Sequence, residues 1–199
     1  MLARECCQLA KIRLKNLSAT KDEGLVLSTL NLAINDLYRR FNLKVESETV
    51  VVHTDLAVYT LRNDDVNMLI GLCDRFGREM KQGDVLDGIE YDYKLVNYKQ
   101  FMLRHLFNGY VFGIYTANPI KIVTGNEELD IPEAMIHAVI TYMGYMFEHT
   151  VNVWDRGQVK SEPSFYWQMY EKECQELVNQ GYRIPINIET VAIQAKGYC

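Results

Sequence analysis

The sequence predicts an α+β protein: a bundle of three to four helices, with a β-rich block inserted between them and an extended C-terminal tail. Three observations support this class. Apolar residues recur at helical spacing near both ends of the 199-residue chain, and β-branched and aromatic runs replace that spacing in the middle. The chain also has no internal repeat and no apolar stretch long enough to span a membrane. We therefore expect a single domain over residues 1–181.

Four helices are predicted from the spacing of apolar residues and from the residues that cap helix ends. They cover residues 2–17, 20–42, 132–153 and 163–180. Thr20 and Glu23 have the spacing of a capping box at the start of the second helix, and Asn42 can close that helix. Asp130 is placed to cap the third helix, and Gly181 is a natural C-cap for the fourth. The helices should pack through their apolar stripes.

The β-rich block is predicted over residues 45–123, because its apolar runs are β-branched and are separated by turn-forming residues. Three hairpins are expected, in which residues 49–53 pair with 57–61, 68–73 with 78–80, and 100–105 with 110–117. Gly77 can supply the positive φ that the second turn requires. Asn118-Pro119 should end the last strand, since proline offers no donor to a ladder.

The C-terminal segment, residues 182–199, is predicted to be an extended arm. Ile184, Ile186 and Ile188 alternate along it, so one face of a strand can enter a groove while its backbone adds to a sheet edge. We interpret the segment as a docking arm that reaches beyond its own subunit. The alternative is an edge strand folded back on the chain's own β block. The candidate docking residues are Tyr182, Arg183, Ile184, Ile186, Ile188, Val191, Ile193 and Tyr198.

Charge and motif content limit the functions open to the chain. The formal net charge is −5, and residues 45–134 hold 15 of the 26 acidic side chains against 8 of the 21 basic ones. Tight binding to nucleic acid needs an excess of lysine and arginine, so a protein that grips DNA or RNA is not expected. The motifs of phosphate-binding loops, zinc hydrolases and serine hydrolases are missing from the sequence, and we expect neither an enzyme nor a cofactor.

Two groups of residues have the chemistry of a metal site but lack its spacing. Glu133 and His137 lie one helical turn apart, and the same helix offers no third ligand nearer than His149. An acidic run lies in the middle section, at Asp84, Asp87, Glu90 and Asp92. This run lacks the glycine and the terminal glutamate of an EF-hand loop, and a solvated or field-shaping face is the favoured interpretation. No metal is predicted.

Four local patterns occur in a recognisable order along residues 20–150. They are Tyr59-Thr-Leu61 followed by Asn63-Asp-Asp65, then Leu69-Ile-Gly-Leu-Cys-Asp-Arg-Phe-Gly77, then Tyr115-Thr-Ala-Asn-Pro119, and finally Asp130-Ile-Pro132 at the start of a long helix. In this order the chain resembles the head-to-tail adaptor (connector) proteins of tailed bacteriophages, especially short-tailed ones. One departure is Leu61-Arg62, where members of that family often show Leu-Pro.

The resemblance implies a structural role in the virion. In this family a ring of adaptor subunits, usually twelve, docks beneath the portal vertex and extends the DNA channel toward the tail. The implied partners are further copies of the chain, the portal protein, a downstream tail or nozzle protein, and genomic DNA that passes without specific binding. No membrane is involved, and the subunit, made in the host bacterial cytoplasm, resides at the portal–tail junction.

The same resemblance gives expectations for the two candidate sites. Residues 182–199 would dock on the portal or on a neighbouring copy. The acidic run would line the channel, because a negative lumen repels phosphates and lets the duplex slide. Two alternatives stay open, namely a metal-dependent hydrolase that uses the acidic middle section and a small regulatory binding protein. Neither alternative has a motif in the sequence.

Overall fold

The computed structural model describes residues 1–14, 17, 22–83, 91–156, 165–183 and 186–195. The predicted α+β class is confirmed, with five helices and two three-stranded antiparallel sheets in the described residues. The chain divides into two compact units, where we expected one domain. The helical unit comprises Met1–Leu43 and Pro119–Ile184, and the β unit comprises Lys44–Asn118 and Pro185–Cys199. The inserted block forms its own unit because it encloses its own apolar core.

Among its described residues, the helical unit has four helices that span more than one turn, in the segments where apolar spacing predicted them. They are α1, Ala3–Arg13; α2, Glu23–Phe41; α3, Ile136–Arg156, preceded by a 3-10 turn at Glu133–Met135; and α4, Phe165–Asn179. α3 packs against each of the other three. Their shared core includes Leu30, Leu37 and Phe41 from α2, Val139 from α3 and Tyr170 from α4, all at most 1% exposed.

The helix ends show which capping residues the chain uses. The side chain of Asp22, rather than the predicted Thr20, caps α2 by accepting the Leu25 N–H at 3.0 Å, while Thr20 lies outside the described residues. Asn42 closes α2 in the left-handed conformation at φ 53°, and Gly181 follows α4 at φ 84°, both as predicted. Asp130 differs from its predicted role, because it accepts a hydrogen bond from the Tyr38 hydroxyl.

The β unit is a sandwich of two sheets around an inner core. Its strands are β1, Val45–Val52; β2, Val58–Thr60; β3, Val66–Cys73; β4, Tyr93–Asn97; β5, Gln100–Leu103; and β6, Gly109–Ala117. The first sheet has the order β1-β6-β3 and the second has the order β2-β5-β4. Buried side chains from both sheets form one cluster, in which the rings of Tyr59 and Phe101 stack with centroids 5.6 Å apart.

Two of the three predicted hairpins are wrong, although their strands exist. β1 pairs with β6 and β2 pairs with β5, so β1 and β2 belong to different sheets, as do β5 and β6. The neighbouring strands β4 and β5 do pair with each other. A corner at residues 53–57 replaces the first hairpin turn. There the Tyr59 hydroxyl accepts the His53 N–H at 2.9 Å and lies 2.6 Å from the Leu56 carbonyl oxygen. The turn before Arg78 is confirmed, with Gly77 at φ 86°.

The C-terminal segment is helical where we predicted an extended strand. α5 spans Ile188–Ala195, and its N-cap is Asn187, whose side-chain oxygen accepts the Thr190 N–H at 3.0 Å. The capped start favours a helix, and Ile188, Val191 and Ala192 then fall on one helical face that can be buried. The alternation of isoleucines therefore ends where α5 begins.

Candidate functional site

The outer face of the first sheet is covered by α5. Ala192 is fully buried against it, and Ile188 and Val191 are half-buried beside it. The sheet contributes Phe112 and Ile114 from β6, along with Cys73 and Val45 from the two flanking strands. This small apolar cluster is separate from the inner core between the sheets. The chain's own sheet is thus the surface on which part of the predicted docking segment lies.

Gly71 allows α5 to approach the sheet closely. A Cβ at this position would lie 2.6 Å from Cδ1 of Ile188, which is closer than real side chains come. Beside it, the Cys73 thiol lies 3.8 Å from the Ile188 carbonyl oxygen, at the distance of a weak S–H hydrogen bond. We call the surface formed by Val45, Gly71, Cys73, Phe112 and Ile114 the α5 groove.

The other predicted docking residues lie in several places. Tyr182 is half-buried against the core of the helical unit, Arg183 is exposed and Ile186 is half-buried. Ile184 and Tyr198 lie outside the described residues, as does the side chain of Ile193. The apolar members whose side chains are described are all at least half-buried, while Arg183, Glu189 and Thr190 are exposed. Docking through this segment stays a prediction.

Of the predicted channel-lining residues, Asp92 alone is described. Asp84, Asp87 and Glu90 lie outside the described residues, so their position in a channel stays a prediction. The Asp92 carboxylate accepts the Lys81 N–H at 2.7 Å. Next to it, Lys94 Nζ and Arg104 Cζ lie 4.5 and 5.2 Å from the centre of the Tyr91 ring. Two cationic side chains thus lie over Tyr91, and the backbone of one of them, Arg104, bonds to the carbonyl oxygen of Asp92 at 2.9 Å.

A polar network within the β unit joins the first and third of the four sequence patterns. Asn63 donates to the Tyr115 hydroxyl, which lies 3.0 Å from the Glu46 carboxylate. Lys44 Nζ then bridges Glu46 at 2.8 Å and Asp65 at 3.5 Å. No local pattern in the sequence indicates this network, because Glu46 and Tyr115 are 69 positions apart.

The ionisation states in this network suit its hydrogen bonds. Burial is the main cause that raises the pKa of Tyr115 to about 12, so its hydroxyl keeps its proton at neutral pH. The hydrogen bond from Lys44 is the main cause that lowers the pKa of Glu46, which therefore stays ionised as an acceptor. The hydrogen bond with Glu46 is in turn the main cause that raises the pKa of Lys44. The network thus needs no change of charge to persist across the neutral range.

The backbone N–H of Arg62 is bonded at the position where members of the family that the sequence resembles often have proline. Arg62 N–H donates to both carboxylate oxygens of Glu48 at 2.9 Å, and Asn63 N–H donates to the same group at 3.1 Å. Proline has no N–H, so it could not make the first of these bonds. Arg62 therefore takes part in a local contact that ties the turn after β2 to β1.

Arg40 organises a second polar group, inside the helical unit. Its guanidinium bonds to Asp36 at 2.6 Å and to both carboxylate oxygens of Glu171 at 2.7 and 3.2 Å. It also lies over the rings of Trp167 and Tyr170, with centroids 5.6 and 5.0 Å away. The group ties α2 to α4 through one guanidinium that lies between two carboxylates. We assign it a packing role.

Histidine, cysteine and acidic side chains are the potential metal ligands in the part of the chain that the structure describes. Within that part, no three histidine, cysteine or acidic side chains lie where they could hold one ion. His137, half of the pair with Glu133, instead lies 3.0 Å from Arg13 Nη1. The hydrolase alternative depends on the acidic run, most of which is not described. Among the described helices, none combines the length and hydrophobicity of a membrane span.

Comparisons with known proteins give similarities to solved structures alone. No family model matches the sequence, and no curated protein matches it. The structure is similar to a chain from the neck of an empty GTA particle computed with C6 symmetry. The two chains are 16% identical over 78% of this chain and 79% of the other, with a TM-score of 0.26. A TM-score this low does not establish a shared fold.

Proposed function

We propose that this chain is a head-to-tail adaptor subunit of a tailed bacteriophage, a structural protein without catalytic activity. Copies of it form a ring, of twelve subunits as in the family it resembles, that docks on the portal and continues the DNA channel toward the tail protein below. The observation that carries the proposal is that the four ordered sequence patterns form a framework of strands, turns and polar contacts in the structure.

Each pattern has a position in that framework. Asn63 and Asp65 from the first pattern meet Tyr115 from the third through the network that includes Lys44 and Glu46. The second pattern supplies β3 and the turn after it, where the Asp74 carboxylate accepts two backbone N–H groups. The fourth places Asp130 next to Tyr38 before α3 begins. Four patterns at defined structural positions favour a shared architecture over chance matches of short motifs.

The charge of the chain fits a conduit better than a DNA clamp. At −5 per subunit, a ring presents a strongly negative body to a polyanion passing through it. Acidic side chains lining the lumen would prevent DNA from binding to the wall, because neutralising phosphates requires cations. On this proposal the acidic run that includes Asp92 faces the lumen. A lumen ringed mainly by lysine and arginine would contradict it.

Docking on the portal is assigned to exposed charged residues of the C-terminal segment. Arg183 and Glu189 are exposed there, whereas the apolar residues of α5 lie on the sheet. Charged side chains at the rim of an interface act mainly on the rate and specificity of association. These two side chains therefore suit a contact with a partner that leaves the fold of the subunit unchanged.

The proposal is tested by co-sedimentation of the full-length chain with purified portal rings. We expect the wild-type chain to bind, and the double variant Arg183→Glu, Glu189→Lys to bind about 10-fold more weakly. Lys172→Glu, which reverses an exposed charge on α4, is the matched control and should bind as wild type. Failure of the wild-type chain to bind would contradict the proposal. Metal-dependent hydrolysis by the purified chain would favour the enzyme alternative.

A further inference from the structure

β1 forms one edge of the first sheet. It pairs with β6 along all of Val45–Val52, and the register has no bulge. The Ala117 N–H donates to the Lys44 carbonyl oxygen at 3.0 Å, so the even-numbered residues of this stretch direct their backbone groups toward β6. The odd-numbered residues direct theirs away from the sheet. These outward residues are Val45, Ser47, Thr49 and Val51.

The outward backbone groups of β1 have no partner among the residues that the structure describes. The other long edges differ. On β3 the Leu69 N–H donates to the Tyr98 carbonyl oxygen at 2.7 Å, and beside β4 the Gly83 N–H donates to the Tyr93 carbonyl oxygen at 2.9 Å. β2 has three residues. Within the described part of the chain, β1 is thus the long strand whose edge stays open.

This open edge lacks the usual protection against another strand. Natural proteins protect a long edge with a charged side chain, a proline or a bulge. The outward residues of β1 carry no charge, and Thr49 and Val51 are exposed, with Val51 at 56%. The carboxylates of Glu46 and Glu48 are held by contacts within the β unit. An extended backbone is the group that matches the alternating donors and acceptors of such an edge.

The sequence of β1 is complementary to a second copy of itself. An antiparallel pair that places Thr49 opposite Thr49 also places Ser47 opposite Val51, so the outward N–H and C=O groups of these residues all find partners. The same register places Glu48 opposite Val50, and no like charges meet. Threonine pairs across antiparallel strands are favourable.

The neighbouring registers of this pair are less favourable. A register centred one residue earlier places Glu48 opposite Glu48, and like charges directly opposite each other are destabilising. A register centred one residue later places Ser47 opposite His53, whose N–H already donates to the Tyr59 hydroxyl at 2.9 Å. The Ser47 carbonyl oxygen would then lack a donor. The residues of β1 therefore select the register centred on Thr49.

We propose that the free chain forms a twofold dimer in which the β1 strands of two copies pair antiparallel about Thr49. This pairing joins their three-stranded first sheets into one continuous sheet. The inference goes beyond the proposed function, because a twofold contact closes on itself and does not extend around a ring. Ring assembly therefore separates the pair. The contact adds about six backbone hydrogen bonds with little side-chain burial, so the dimer should be weak and concentration-dependent.

Sedimentation of the purified full-length chain between about 1 and 500 μM tests the dimer. The wild-type chain should change from monomer to dimer across this range. Thr49→Lys and Thr49→Glu each place like charges opposite each other, so each should weaken association at least about 10-fold. An equimolar mixture of the two variants should regain the dimer, because lysine then faces glutamate. Val96→Lys, at an exposed position of the second sheet, is the matched control and should dimerise as wild type.

Amide hydrogen exchange of the wild-type chain tests the register and does not depend on whether the variants fold. Dilution from dimer to monomer should speed exchange at Ser47, Thr49 and Val51 at least about 10-fold. The amides of Glu48 and Val50 should keep their protection, because they face β6 in both states.

Three results would overturn the proposal. They are a wild-type chain that stays monomeric throughout the range, a folded Thr49→Lys variant that dimerises as tightly as wild type, and a dimer in which the Thr49 amide exchanges as fast as in the monomer. Ring formation on the portal is scored separately, so none of these results would contradict the adaptor proposal.

Discussion

The two outer faces of the β sandwich differ in what covers them. The first sheet presents Phe112 and Ile114, which are buried only because α5 lies over them. The second sheet carries a ladder of polar side chains, in which Gln100 donates to Thr60 at 3.0 Å and Asn97 donates to Gln100 at 2.7 Å. Val58 and Val96 on the same sheet are also exposed, so the second face is open to solvent. The first face is instead covered by the C-terminal helix.

The largest expected effect is the loss of unfolding free energy in the inner core, compared with the loss beneath α5. Phe101→Ala removes a fully buried ring between the sheets and should lower the free energy of unfolding by about 3–5 kcal/mol. Phe112→Ala removes a ring beneath α5 and should cost less, because α5 can shift to reduce the cavity. Denaturant unfolding of both variants measures the difference. Equal losses would show that the α5 face is as integral to the sandwich as the inner core.

Alanine substitutions at two glycines test the same comparison, with smaller expected losses of stability. A Cβ on Gly113 would meet Leu61 at 2.7 Å in the inner core, while one on Gly71 would meet Ile188 at 2.6 Å. Leu61 is fully buried, so Gly113→Ala should cost about 1–3 kcal/mol through overpacking. Ile188 is half-buried and can move outward, so Gly71→Ala should cost less stability.

Hydrogen exchange provides the second readout for these glycine variants. Gly71→Ala should speed exchange of the amides in α5 while the strands of the second sheet keep their protection. Gly113→Ala should instead reduce protection in both sheets. If Gly71→Ala left the exchange of α5 unchanged, the close approach of Ile188 to the sheet would not be what holds that helix.

Acid should weaken the polar network in which Glu46 contacts Lys44 and Tyr115. The pKa of Glu46 is lowered in the folded chain, mainly by Lys44, so ionised Glu46 stabilises the fold above its unfolded pKa. That contribution is lost as pH falls through the folded pKa. Glu46→Gln should therefore flatten the fall in melting temperature between about pH 6 and pH 3. Glu79→Gln, at an exposed position, is the control, and an equal flattening there would remove the special role of Glu46.

The smallest effect is expected on the polar face. Gln100→Ala breaks the ladder with Thr60 and Asn97, yet all three side chains border solvent. Exposed cross-strand pairs contribute about 0.2–1 kcal/mol, and the loss should fall in that range. Thermal unfolding measures it. A loss as large as that of Phe112→Ala would mean that this face is covered in the native state.

How far the sequence predicts the structure depends on the range of the interactions. Apolar spacing located the helices, and Asn42 and Gly181 ended two of them, because helix contacts are local. Two predicted hairpins are wrong because each assumed that strands next to each other in the chain pair. The corner held by Tyr59 instead places β2 in the second sheet. Nothing local shows that Val50 lies opposite Val111.

The candidate sites were harder to predict for related reasons. α5 could have been recognised from Asn187 followed by apolar residues at helical spacing, but the isoleucine alternation before it is the stronger pattern. The close fit of Ile188 on Gly71 joins residues more than 100 positions apart. The network of Glu46, Asn63 and Tyr115 has the same non-local character, so its members resemble ordinary polar residues in the sequence.

The central claim is that this chain forms a ring on the portal, and electron microscopy of the two proteins mixed tests it most directly. The account predicts a second ring beneath the portal, coaxial with its channel, with a continuous lumen and one copy of this chain per repeat. Portal particles without added density, or single copies bound at scattered positions, would contradict it.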